Sequence, residues 1–310
     1  MLDRRQILHA GVTAAVATSM TKPLHAFTPE FDGYIDAHSH IWTRDVKNYP
    51  LKDNQGVEVL DPPSFTTEEL LKVAQKHNVQ RVVLIAHSSF YGWDNSYMID
   101  AWKQHPLRFR IVAMVNDAAK DPGGQMKLLK KQGVTGFRIT PKIRGRKIWL
   151  DNDGMNTMWS TAAKTGQAMC CLINPEDLPA VDKMCAKHPD TKVVIDHFAR
   201  VGVDGEIRDK DVKLLASLSK HKNANLKISA YYALGKKKPP HLDLLPMIKR
   251  MVEAYGCDRL MWASDAPYQI VGENNYTASI DLIRKHADFL SDTERLALLR
   301  GTAEKVFFGG

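Results

Sequence analysis

The chain has 310 residues, of which 44% are hydrophobic and 25% charged, with a formal charge of +8. That is ordinary globular material, long enough for one large barrel or two small domains. The basic residues are spread along the chain, and the densest clusters, Lys142 to Lys147 and Lys236 to Lys238, are short and loop-like. No nucleic-acid partner is therefore expected, since that would want basic residues clustered with aromatics on one element.

The first residues read as a targeting segment. Arg4 and Arg5 precede a moderately apolar stretch, Ala10 to Met20, and Ala26 offers a small residue for cleavage. This is the pattern of a twin-arginine signal, so residues 1–26 are expected to be a signal peptide and residues 27–310 one domain. The expected location is the periplasm, with the twin-arginine export machinery as a partner. The apolar run is too short to span a bilayer, which takes about 20 residues. Cys170, Cys171, Cys185 and Cys257 form no C-x-x-C pair and read most simply as core thiols.

From about residue 30 the chain alternates two kinds of segment. Strand-like apolar runs lie near 34–38, 81–86, 109–115, 134–139, 168–173, 193–197, 225–229 and 259–264. A capping box, Thr66 with Glu69, opens a helix that ends near His77. Gly123 to Gln132 and Met155 to Thr165 are helical stretches stopped by Gly133 and Gly166. Asn174 with Pro175 starts another, Asp243 to Tyr255 ends at Gly256, and Ala278 to Phe289 follows the eighth strand. Eight strands with helical connections predict an α/β fold, a single-domain (β/α)8 TIM barrel. The first connection, Thr43 to Pro63, is long and helix-poor, and is expected to fold over the top face.

Three strand ends carry the chemistry. His38 and His40 end the first, His197 the sixth and Asp265 the eighth. Catalytic residues of such a barrel sit at the C-terminal strand ends, and closure makes the eighth strand a neighbour of the first. Two residues apart on a strand, His38 and His40 share a face and suit convergence on one ion. Two versions of the chemistry are open. With one divalent metal, zinc or manganese, His38, His40 and Asp265 hold the ion, and His197 completes its shell or polarises the substrate carbonyl. With no metal, Asp265 activates water directly and the histidines donate hydrogen bonds. Arg138, at the end of the fourth strand, is expected to bind a substrate carboxylate, with Arg144 adding positive potential. Tyr91 and Trp93, after the second strand, are expected to form apolar walls, and His87 reads as structural.

These residues resemble the amidohydrolase superfamily, in particular the amidohydrolase-related family that includes 2-pyrone-4,6-dicarboxylate lactonases and sugar-lactone hydrolases. The resemblance spans about residues 33–308 and rests on Ile35 to Trp42, Tyr91 to Tyr97, Gly136 to Arg138, Val194 to His197, Leu226 to Ser229, Leu260 to Pro267 and Gly301 to Glu304. It implies hydrolysis of a lactone or related ester of a small carboxylic acid, with Asp265 as general base and a small anionic substrate as partner. Metal-dependent decarboxylation of an aromatic or unsaturated acid is the alternative. The fifth strand ends in Asn174, with no lysine or histidine, which argues against a binuclear site bridged by a modified lysine.

Overall fold

The computed structural model describes residues 31–309; the expected signal segment lies outside the described residues. Eight parallel strands form one sheet in chain order: β1 (Tyr34–Ser39), β2 (Val79–Ile85), β3 (Phe109–Ala113), β4 (Val134–Ile139), β5 (Ala168–Cys171), β6 (Lys192–Ile195), β7 (Ala224–Ile228) and β8 (Leu260–Trp262). One principal helix follows each strand: α1 (Thr67–Gln75), α2 (Ser96–Gln104), α3 (Pro122–Lys130), α4 (Asp153–Thr165), α5 (Leu178–Lys187), α6 (Asp209–Ser217), α7 (Leu245–Tyr255) and α8 (Tyr276–Asp281). This is the expected (β/α)8 barrel. Among the described residues no helix is long and apolar enough to cross a membrane, and all four cysteines are free thiols.

Strand alternation divides the apolar residues into two cores. Ile35, Ala37, Val83, Ile85, Val112, Ala168, Cys170, Val194, Met261 and Ala263 fill the barrel interior, and Ala303, Val306 and Phe307 join them from the C-terminal segment. Residues of opposite parity, such as Leu84, Phe137, Met169, Ile195, Leu226, Ile228 and Trp262, pack in the layer with the helices. Gly136 allows β4 to pack closely on β5: a Cβ there would lie 3.1 Å from the Ala168 carbonyl oxygen and 3.3 Å from Cys170 Sγ.

The barrel closes between β8 and β1 beyond the short eighth strand. The Asp265 N–H donates to the His38 carbonyl and the His40 N–H to the Ala266 carbonyl, both at 2.8 Å. Asp36 latches the same seam. Its carboxylate, fully buried, accepts from the Ser264 N–H (2.8 Å), the Ser264 hydroxyl, the Tyr276 hydroxyl (2.8 Å) and the His38 N–H (3.1 Å). Burial pushes its pKa up to about 6, against the opposing pull of these donors.

The Thr43–Pro63 connection packs against the segment that follows β2: the Thr43 N–H donates to the Tyr91 hydroxyl, and Tyr49 bonds to Asp100 of α2 with its ring against Tyr97. Asp36→Ala leaves four donors without their acceptor, and unpaired buried groups cost about 1–3 kcal/mol each before relaxation. We expect a loss of at least about 3 kcal/mol in urea unfolding; a loss under about 1 kcal/mol would show that the seam closes without the latch.

Candidate active site and metal centre

β1 does not run regularly into its two histidines. Ile35 and Ala37 belong to the interior, and Asp36 faces Tyr276 of α8. On a regular strand His38 would follow Asp36 outward. The β1–β2 register shifts between Asp36 and Ser39, a bulge-type irregularity, and His38 instead reaches Lys227 of β7 across the lumen. His40 lies just past the strand end. The result is tight convergence: His38 Nε2 is 3.4 Å from His40 Nε2, and Asp265 Oδ1 is 3.3 Å from both. Asp265 sits in the left-handed region (φ 60°), fixed there by its seam hydrogen bond.

Three donors at these separations match one face of a tetrahedral ion site. Zinc–ligand bonds of about 2.0–2.1 Å give ligand–ligand edges of about 3.3–3.4 Å. Asp265 Oδ1 is buried and makes no hydrogen bond, as an oxygen reserved for a cation would. The protonation states agree. Burial drives His38 well below the usual imidazole range, reinforced by Lys227 and His197. Burial also raises Asp265, but His197, His40 and His38 outweigh it and hold the carboxyl ionised. A neutral imidazole with a carboxylate is a ligand set in its metal-binding form. His40 Nδ1 donates to the Ile85 carbonyl at 2.8 Å, leaving Nε2 with its lone pair toward Asp265.

His197 belongs to the same site but stands apart from this triangle. Its Nε2 is 3.8 Å from Asp265 Oδ2, and its Nδ1 is 2.8 Å from the Ser229 hydroxyl. Burial lowers its pKa to about 4. His197 opens four consecutive left-handed residues ending at Arg200, with φ between 50° and 57° and no glycine among them. Such strain persists where the surroundings over-determine it. Here the turn brings both His197 and Arg200 to the cavity wall. A second possible donor group, His38 with Asp196 and His197, has the Lys227 ammonium 3.0 Å from Asp196 Oδ1, so a lysine already balances that carboxylate.

The site opens into a cavity of about 340 Å³, within the range of small-molecule pockets. Arg138, Lys142 and Arg200 line it together, and Asp265 is its one lining carboxylate among the described residues. Arg138 is buried, bonded only to the Ala86 carbonyl (3.1 Å), with its Nε unpaired. The neighbouring cations Arg200 and Arg138 lower the Lys142 pKa, with burial between them in weight. Tyr232 donates to Asp265 Oδ2 at 2.8 Å. His87, read from sequence as structural, lines the cavity, bonded through Nε2 to the Tyr268 hydroxyl at 2.6 Å.

The structure places His38, His40, His197, Asp265 and Arg138 close together at one end of the barrel. Three expected substrate contacts are elsewhere. Arg144 turns to Asp117 (3.0 Å) and Asn116 (2.9 Å), because a nearby carboxylate and amide satisfy its fork. Tyr91 is buried in the outer core with its hydroxyl accepting from the Thr43 N–H, and Trp93 is 39% exposed near Leu128. Sequence reasoning missed Asp196, Lys227, Arg200 and Tyr268. A signal for Lys227 was present: Asn225, Lys227 and Ser229 are polar at alternate positions of an otherwise apolar strand, the parity that faces the lumen.

The chain and its fold have known relatives. The L-fucono-1,5-lactonase of Burkholderia ambifaria is 23% identical over 239 residues, covering 75% of this chain and 80% of that protein. The 4-sulfomuconolactone hydrolase of Hydrogenophaga intermedia is 24% identical over 238 residues, covering 76% and 75%. The crystal structure of an amidohydrolase from Burkholderia multivorans with bound zinc superposes with a TM-score of 0.75 at 19% identity, over 89% of this chain and 99% of that one. The family model described as amidohydrolase matches residues 35–309, and the chain belongs to that family.

Proposed function

We propose that the protein hydrolyses a lactone, or a related ester, of a small anionic carboxylic acid, using one divalent ion held by His38, His40 and Asp265. The observation that carries this reading is the cavity itself: a converged donor triangle at its base and three cations, Arg138, Lys142 and Arg200, on its wall with Asp265 as the one lining carboxylate. Both curated relatives are named as lactone hydrolases, and the Burkholderia multivorans structure holds zinc, which makes zinc the first ion to try and manganese the second. A bound ion would supply Lewis-acid polarisation and a water of lowered pKa.

The chain's own groups do the rest. Asp265 Oδ2, on the cavity side and held by Tyr232, takes the proton of the attacking water. The Ser229 hydroxyl lies 2.8 Å from His197 Nδ1; with the hydroxyl as donor there, Nε2 carries the proton and donates to the carbonyl oxygen as negative charge develops. Breaking the ring C–O bond releases an oxygen that takes the proton back from Asp265, leaving an open hydroxy acid. Arg138 lines the cavity and offers its guanidinium to a substrate carboxylate. Decarboxylation is the rival. It is disfavoured because the end of β5 offers the cavity only Leu172, with no donor side chain. Export through the twin-arginine pathway to the periplasm is part of the proposal and is supported by the pattern of Arg4, Arg5 and the apolar stretch after them.

Asp265→Asn should cut kcat about 10²–10⁴-fold with an unchanged melting transition; retained turnover would remove Asp265 as base. Arg138→Met should raise KM about 10- to 100-fold for an anionic lactone, the worth of a charged hydrogen bond, and leave a neutral sugar lactone unaffected. Equal effects on both substrates would remove the carboxylate contact. Carbon dioxide release from an aromatic acid, without lactone opening, would favour the rival.

The metal-free protein should also show a pH signature. His197 binds its proton with a pKa near 6.5 when unfolded and about 4 when folded. Its contribution to stability is complete above pH 6.5 and falls away as pH drops toward 4, by at most about 3 kcal/mol. His197→Asn, which tolerates the left-handed backbone, should flatten that segment of the curve relative to wild type. Parallel curves would show that His197 does not titrate there.

A further inference from the structure

Beneath the donor triangle lies a pair of charges that no step above uses. Lys227 and Asp196 are both fully buried, with Nζ 3.0 Å from Oδ1. Both approach the far nitrogen of His38: Lys227 Nζ is 3.3 Å from Nδ1 and Asp196 Oδ1 is 3.6 Å from it. They ask opposite things of the ring. An ammonium has only donors, so pairing with it makes Nδ1 an acceptor and puts the proton on Nε2, against any ion. A carboxylate accepts, so pairing with it puts the proton on Nδ1 and frees the Nε2 lone pair.

We propose that Asp196, paired with Lys227, is the positioning residue that fixes His38 as a metal ligand. The proposal rests on the metal reading above. His40 supplies the comparison within the same site: its Nδ1 has a pure acceptor, the Ile85 carbonyl, and its Nε2 points into the triangle. Among the described residues His38 has no backbone carbonyl at Nδ1, and Asp196 is the carboxylate beside it. The lysine's part is to hold the carboxylate in place beside the ring, since a buried charge needs a paired partner. The ammonium lies over the Phe307 ring at 5.4 Å, so the pair is packed from below and is not solvated.

The test is zinc affinity of the metal-free full chain, by competition with a chelating dye, for wild type, Asp196→Asn and Lys227→Met, each checked for a folded spectrum. Both variants should bind zinc about 10- to 100-fold more weakly, the usual cost of losing an outer-shell partner. Their double variant should lose little more than either alone. Unchanged affinity in Asp196→Asn would overturn the proposal. Tighter binding in Lys227→Met would also overturn it, because it would make the lysine the Nδ1 partner and an obstacle to the ion. No zinc binding by wild type would instead remove the metal reading itself, and this proposal with it. Should the variants not fold, nitrogen-15 histidine spectra of zinc-loaded wild type decide: the proton must reside on His38 Nδ1, and a proton on Nε2 overturns the proposal.

Discussion

Everything at the mouth of this barrel depends on how β8 meets β1. The seam is short, because β8 spans only Leu260–Trp262, and it is completed by loop backbone. Two backbone hydrogen bonds, Asp265 to His38 and Ala266 to His40, tie the carboxylate and the two histidines together through their own main chains. The donor atoms are thus spaced by covalent geometry and barrel closure rather than by flexible side-chain search. Precision of this kind is what a site on rigid elements gains over one on mobile loops. Asp36 acts on the same seam from the outer side, and its bonds to Ser264, Tyr276 and His38 join three separate segments.

The electrostatic layout follows from burial. Burial holds the imidazoles of His38 and His197 neutral, and the two nearby carboxylates, Asp265 and Asp196, stay ionised because positive or polar partners outweigh the cost of burying them. The wall above is cationic. An anionic substrate would meet attraction at the wall and a carboxylate base at the floor, so the field both recruits the ligand and fixes which end faces the reacting groups.

Much of this was legible in the sequence, for identifiable reasons. All eight strands could be read because each is an apolar run buried on two sides. The helices that were legible carry local punctuation: Thr66, Asp121 and Asn152 cap α1, α3 and α4 through side chains, and α5 and α7 have proline in their first turn. The two helices that were not legible, α2 and α6, lack such caps. Asn95 spends its side chain on Met114 and Trp93 instead of the helix end, and Arg208 offers no acceptor. The same logic sorts the site. His38, His40, His197 and Asp265 sit at strand ends that topology brings together. Arg144 was captured by Asp117 on a neighbouring loop, and the Lys227–Asp196 pair joins β7 to the end of β6, contacts that no local pattern encodes.

The central claim is that His38, His40 and Asp265 form one ion site. Crystals of the chelator-treated protein, soaked with zinc and measured on both sides of the zinc absorption edge, test it directly. The account predicts a single anomalous peak about 2.0–2.2 Å from His38 Nε2, His40 Nε2 and Asp265 Oδ1. No peak at that triangle, or one seated on other residues, would contradict it.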